Sequence, residues 1–228
     1  MATHLNNLDR ADLKYIGSEN EFKNIEIQNF DFLNNLSVGE ISVLYEYSLA
    51  YMDRVKRKQE GQYFTPDDVA QVMAKKTLTF PKNKIWIDPC SGVGNLSFWL
   101  ITYQENPENF LKNNIYLIDR DILALFIARF ILAVNFQKKD LRLFENIKSR
   151  FVVADFLISD NLPKHDYAIL NPPYVMGEPD VRFETSSARD VYAYFLERVI
   201  KTSTGFVSIT PQTFTNGQKF NSLRKLLL

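Results

Sequence analysis

The sequence predicts an α/β fold: a doubly wound, mostly parallel sheet with an N-terminal helical extension. From Lys84 onward, short apolar runs of strand character alternate with longer segments of helical periodicity, the pattern of βαβ units and hence of a parallel sheet. Three of the runs end in aspartate, at Asp88, Asp119 and Asp155, and a fourth ends in Asn171-Pro172-Pro173-Tyr174. In open sheets of this class, ligands bind at the carboxyl ends of the strands.

The 228 residues, 46% of them hydrophobic, suffice for one principal core. Lys+Arg and Asp+Glu balance at 27 each, so the footprint of a self-sufficient nucleic-acid binder is missing and any basic surface must be local. One cysteine, Cys90, and two histidines, His4 and His165, exclude a disulfide framework and a zinc cluster; no metal is expected, and a reducing, cytoplasmic setting fits. The first ten residues are polar and carry no secretory h-region. The longest apolar stretch, Ile122 to Val134, is broken by Arg129 and is shorter than the roughly 20 residues of a membrane helix. A soluble protein with no membrane partner is expected.

Residues 1–36 are polar and weakly periodic, with one short helix expected around Leu8 to Ile16. Ser37-Val38-Gly39-Glu40 is a capping box, followed at helical spacing by Ile41, Leu44, Tyr45, Leu49, Met52 and Val55, so a helix over about 38–58 follows. Its basic tail, Arg54 and Lys56 to Lys58, suits a solvated helix C-terminus. After Gly61, Thr65 is expected as an N-cap with Pro66 at the first helical position and Asp68 completing the box, opening a helix to about Lys76. Strands are expected at 84–88, 114–119, 150–154, 166–170 and 205–210, with helices near 94–105, 121–136, 140–148, 187–202 and 217–228.

The first strand runs into Asp88-Pro89-Cys90-Ser91-Gly92-Val93-Gly94-Asn95. Gly92 and Gly94 let the backbone approach a ligand. The dinucleotide fingerprint needs a third glycine where this chain has Ser97, and no GxxxxGK[ST] cradle exists, so nicotinamide and nucleoside-triphosphate readings weaken. Asp88 suits a cationic amino group. Asp119, at the tip of the next strand, suits a ribose diol, whereas Asp121 reads as the cap of the following helix. Asp155 beside Phe156 offers an acceptor and a ring to an adenine, although a turn role accounts for Asp155 equally well. One ligand with an amino acid, a ribose and an adenine would use all three strand ends.

In Asn171-Pro172-Pro173-Tyr174 the prolines fix two φ angles and remove two backbone donors. The Asn171 amide and the Pro172 carbonyl offer acceptors, and Tyr174 offers a ring, to a planar group bearing an NH2. A tight turn closed by a packed Tyr would use the same residues.

Taken together, these segments resemble the S-adenosylmethionine-dependent N6-adenine DNA methyltransferases of the gamma arrangement, found in restriction-modification systems. The resemblance covers about residues 58–228 and rests on Gln62-Tyr63-Phe64-Thr65-Pro66, the Asp88 to Asn95 loop, Asp119, Asp155-Phe156 and Asn171 to Tyr174, in matching order and spacing. The later segments Asp190 to Phe195 and Gly205 to Pro211 also resemble the family. It implies a Rossmann-like class I methyltransferase fold, with an arm over 1–60 and a catalytic domain over 61–228 that is incomplete at its C-terminus. It further implies that Thr65, Asp88, Gly92 and Gly94 contact the methionine part of S-adenosylmethionine, Asp119 the ribose, and Asp155 with Phe156 the adenine, with Tyr63 and Pro89 also binding the cofactor. Asn171, Pro172, Pro173 and Tyr174 would form the catalytic loop, Asn171 and Pro172 holding the target amine and Tyr174 stacking on the flipped base, with Asn171 also binding the cofactor.

Two departures stand out. Leu96 follows Asn95 where the family often has an aromatic, and the chain stops at Leu226-Leu227-Leu228 where the family continues into two more strands and a target-recognition region. DNA is therefore expected as a weak partner, and a specificity subunit, a missing C-terminal region or a homodimer is expected to complete the protein. A protein-glutamine or RNA amine methyltransferase, or a non-catalytic subunit of the same fold, remains the alternative.

Overall fold

The computed structural model describes residues 36–52, 65–136 and 142–228. The expected helix at 8–16, the Arg54 to Lys58 cluster, Tyr63 and the domain boundary at residue 60 lie outside the described residues. The elements, in chain order, are α1 (Val38–Met52), α2 (Asp67–Thr77), β1 (Trp86–Asp88), α3 (Asn95–Thr102), α4 (Pro107–Asn113), β2 (Ile115–Asp119), α5 (Ile122–Phe136), α6 (Arg142–Asn146), β3 (Phe151–Val153), β4 (Tyr167–Leu170), α7 (Val191–Thr202), β5 (Gly205–Ser208) and α8 (Asn221–Leu226).

Five strands form one sheet in the order β3-β2-β1-β4-β5, and every pairing is parallel. The chain leaves β1 toward β2 and β3, then returns to the other side for β4 and β5. The switch point therefore lies between β1 and β4, where Trp86 pairs with Tyr167, and a crevice opens there beyond the strand ends.

Successive side chains of a strand face opposite sides, and the core divides accordingly. Trp86, Ile115, Leu117, Tyr167 and Ile169 pack on one face with residues of α2, α3 and α5. Ile87, Ile118, Ala168 and Leu170 pack on the other with Phe195 and Val199 of α7. The strands are apolar on both sides because helices cover both faces. A third cluster joins Tyr192 and Leu196 of α7 to Phe220 and to Leu223 of α8.

The capping box forms as read: Ser37 N donates to Glu40 Oε2 at 2.7 Å, and Glu40 N donates to Ser37 Oγ at 3.1 Å. Asp121 caps α5, its Oδ1 accepting from Leu123 N and Ala124 N.

Several expectations need correction. Thr65 does not cap α2: Pro66 stands at the cap with no side-chain bond, because the Thr65 hydroxyl is taken by a residue 106 positions away. α4 is an additional helix, opened by Asn106, whose side chain accepts from Asn109 N. The helices expected at 140–148, 187–202 and 217–228 are shorter, each adjoining a 3-10 turn, at Lys148–Arg150, Glu184–Ala188 and Gln218–Phe220. Leu44, expected on the buried stripe of α1, is exposed. Among the described residues no helix is long and apolar enough to cross a membrane.

Candidate functional site

A cavity of about 340 Å³ opens at the carboxyl edge of the sheet. The loop after β1 forms its floor. That loop is pinned to β2, with Ser91 N donating to Ile118 O at 3.1 Å and Gly92 N to Asp119 Oδ2 at 2.8 Å. The other Asp119 oxygen accepts from Asp121 N at 2.9 Å. Two backbone donors thus hold this carboxylate in place, while burial pushes its pKa above the usual range.

The two glycines of the loop do different work. Gly92 has φ +51°, and a Cβ built there would meet nothing within 4 Å; since Gly92 also lines the cavity, its α-carbon faces room for a ligand. Gly94 has φ +85°, and its Cβ would lie 3.1 Å from Ala128 Cβ, so here glycine serves the packing of the α3 start against α5.

Asp88 is fully buried and is not among the residues lining the cavity. Its Oδ2 accepts from Ser97 Oγ at 2.9 Å, and the Cys90 backbone amide also faces the carboxylate. Burial lifts its pKa to about 7, the Ser97 hydroxyl opposing and the neighbouring Asp119 reinforcing that rise.

Asp155 lies at the cavity wall past β3. Its Oδ1 accepts from Leu157 N at 2.9 Å, and Arg120 NH1 stands 3.8 Å from its Oδ2. The turn it closes is braced from behind by Arg198, which donates to Leu157 O at 2.6 Å and also to Ser159 O. Phe156 is almost fully buried and stacks on Phe195 with centroids 5.5 Å apart, so it contributes an edge of wall backed by the core.

Across the switch point, Asn171 is the first residue after β4. Its Nδ2 donates to Thr65 Oγ1 at 2.8 Å, and its Oδ1 accepts from the Tyr174 hydroxyl at 2.6 Å. The Tyr174 hydroxyl also lies 2.8 Å from Ile209 O; burial raises its pKa, so it stays a donor. Cys90 Sγ donates to Asn171 O at 3.3 Å, and Asn95 Nδ2 donates to Thr65 O at 2.7 Å. The segment before β1, the loop after β1 and the loop after β4 are thus stitched together around one amide.

Of the residues expected from sequence, Thr65, Pro89, Gly92, Asp119, Asp155, Phe156, Asn171 and Pro173 line the cavity. Asp88, Gly94, Pro172 and Tyr174 stand next to it without lining it. What sequence reading missed is the contribution of α1, whose Ser42, Tyr45 and Glu46 line the cavity too. Tyr45 donates to Asp121 Oδ2 at 2.6 Å. The signal was present as three polar residues spaced i, i+3, i+4, one face of a helix. Arg120, directly after Asp119, was also passed over.

The family model of N-6 DNA methylases matches residues 38–203. The type II methyltransferase M.PstI of Providencia stuartii is 26% identical over 213 residues, which are 82% of this chain and 40% of that protein. The chain thus spans less than half the length of this relative. Among solved structures, a complex of DrdV with DNA superposes with a TM-score of 0.66 at 16% identity, over 83% of this chain and 24% of that one. The methyltransferase subunit of a type I restriction-modification system from Streptococcus thermophilus gives a TM-score of 0.59 at 18% identity, over 92% of this chain and 52% of that one. These likenesses carry the fold. The family match begins at the first residue of α1 and takes in every strand end that lines the cavity, so this chain belongs to the N-6 DNA methylase family.

Proposed function

We propose that this chain is the catalytic part of an enzyme that transfers a methyl group from S-adenosylmethionine to the N6 amine of adenine in DNA, within a restriction-modification system. The observation that carries the reading is Asn171. It stands at the switch point, its amide oriented by Thr65 and Tyr174, beside a cavity walled by the ends of β1, β2 and β3.

The residues present fit the cofactor. Gly92 leaves open space where a side chain would stand, and Asp119 on the cavity lining offers carboxylate lone pairs to a diol. When bound, S-adenosylmethionine supplies a methyl group already activated on a sulfonium. The protein's task is then alignment and exclusion of water. Adenine's amine is a weak nucleophile because its lone pair is delocalised into the ring. Asn171 Oδ1 and the Pro172 carbonyl, accepting its two hydrogens, draw that nitrogen toward a tetrahedral arrangement. Thr65 keeps the Asn171 oxygen aimed by occupying the amide nitrogen. For a base in duplex DNA the same geometry requires extrusion, and the Tyr174 ring replaces lost stacking.

DNA is the proposed partner, and recognition of a particular sequence belongs to segments beyond the cavity described here. The experiment is to incubate the complete enzyme with S-adenosylmethionine and unmethylated DNA, then digest the DNA to nucleosides. N6-methyladenine is expected. N4-methylcytosine, or methylated glutamine on protein with unmodified DNA, would overturn the substrate.

A further inference from the structure

Residues 176–190, which follow the catalytic loop, are fastened to α7 along their length. Their two ends are closed by an antiparallel bridge between Met176 and Asp190, with Gly177 N donating to Arg189 O at 2.9 Å and Val191 N to Val175 O at 3.0 Å. Further along, the buried carboxylate of Glu197 accepts from Glu184 N, Thr185 N and Thr185 Oγ1 at 2.8 to 2.9 Å, and Phe183 stacks on Tyr194 with centroids 4.9 Å apart. A Cβ on Gly177 would lie 3.0 Å from Val191 Cγ2, so the backbone beside Met176 is pressed against the helix.

On this fixed backbone Met176 is 74% exposed, yet it lines the cavity together with Asn171, Pro173, Val175 and Val191. It stands at the mouth, where cavity and solvent meet. The arginines of the segment are engaged within it: Arg182 donates to both oxygens of Asp180, and Arg189 stands 3.8 Å from Glu178 Oε2. What the segment presents beside the catalytic loop is therefore an apolar side chain and not a phosphate clamp. A duplex that delivers an adenine to Asn171 must open at this mouth, and an extruded base leaves a gap in the stack. Apolar side chains, methionine among them, enter between base steps. The thioether is unbranched and polarisable, suited to lie against the faces of bases.

We propose that Met176 enters the DNA stack at the position the target adenine leaves, holding the base extruded toward Asn171. The proposal rests on the methyl-transfer reading given above and adds to it a residue that meets the duplex outside the pocket. The closed ends of the segment supply what such a wedge needs, since a side chain on a backbone free to recoil would be pushed aside by restacking bases.

The test uses the complete enzyme and a duplex carrying its methylation site, mapped beforehand from the positions of N6-methyladenine in plasmid DNA. Met176→Ala and Met176→Leu are compared with wild type on that duplex and on one whose target adenine faces an abasic position, where extrusion breaks no base pair. Met176→Ala should lose roughly ten- to a hundredfold in kcat/KM on the paired duplex. On the abasic duplex it should come within about twofold of wild type, and Met176→Leu should keep most of the rate on both. 2-Aminopurine in place of the target should brighten less with Met176→Ala than with wild type. Unchanged affinity for S-adenosylhomocysteine shows that the Ala variant is folded, whereas a weakened affinity would place Met176 in the cofactor wall and overturn the proposal. An equal loss on both duplexes, or no loss on either, overturns it too and leaves the methyl-transfer reading intact. Absence of N6-methyladenine with wild type overturns both.

Discussion

The hydroxyl of Tyr174 donates to Oδ1 of Asn171 at 2.6 Å, so the residue expected to stack on the target occupies the oxygen expected to receive it. Ring and hydroxyl therefore have separable effects. In the complete enzyme, Tyr174→Phe should keep turnover within about tenfold of wild type, because the ring survives. Tyr174→Ala should lose a further stacking contribution of roughly 1 to 3 kcal/mol, read as a fall in kcat/KM for DNA. Equal kinetics of the Phe and Ala variants would show that the ring does not meet the base.

Asn171→Ala should abolish methyl transfer while changing S-adenosylhomocysteine affinity little. Thr65→Val keeps the size of the side chain but removes the oxygen that holds the Asn171 amide nitrogen. It should lower kcat with the substrate nucleoside unchanged in the digest. A Thr65→Val enzyme as fast as wild type would mean that the amide is aimed by Tyr174 alone.

Asp119→Ala removes the acceptor for Gly92 N and Asp121 N as well as the expected diol contact. Binding of S-adenosylhomocysteine should weaken by roughly 1.5 to 3 kcal/mol, measured by calorimetry on folded protein.

Asp88 gives the ligand-free protein a signature in pH. Burial raises its carboxyl to about 7 from an unfolded value of about 4, so between those limits the folded state holds a proton the unfolded chain has lost. Stability from this group is complete below about pH 4 and declines as pH rises through about 7. Urea unfolding at pH 5 and pH 8 should show wild type losing more stability across the interval than Asp88→Asn. Parallel losses in the two proteins would place the raised group elsewhere.

The loop glycines should separate binding from folding. Gly92→Ala pays a left-handed φ cost of about 1 to 2 kcal/mol and puts a methyl into the cavity, so ligand binding should suffer more than stability. Gly94→Ala adds a close approach to Ala128 and should lower the thermal midpoint further.

Much of this molecule is legible in its sequence where the determinants are local. Ser37 and Glu40 announce the start of α1, the alternation after Lys84 announces the parallel sheet, and the strand-end residues Asp119, Asp155 and Asn171 reach one cavity. The sequence misleads where a distant partner claims a side chain. Thr65 has the chemistry of a helix cap, but its hydroxyl accepts from Asn171 instead. Asp88 ends a strand like its two counterparts, yet the register that pairs it with Leu117 sinks it fully into the core. The facing of α1 depended on what lies beneath it, and periodicity alone assigned Leu44 to the inside.

The Thr65 to Asn171 bond spans 106 positions of chain and ties the segment before β1 to the loop after β4 across the switch point. A contact of such sequence separation exists only where the intervening chain has been closed into place, at an entropic cost. A ligand that needs both residues in place therefore recognises only completed molecules, and by mass action it adds about 2.7 kcal/mol at a hundred times its dissociation constant. On the proposed function, S-adenosylhomocysteine at that excess should slow digestion of the protein by a protease that cuts only unfolded chain.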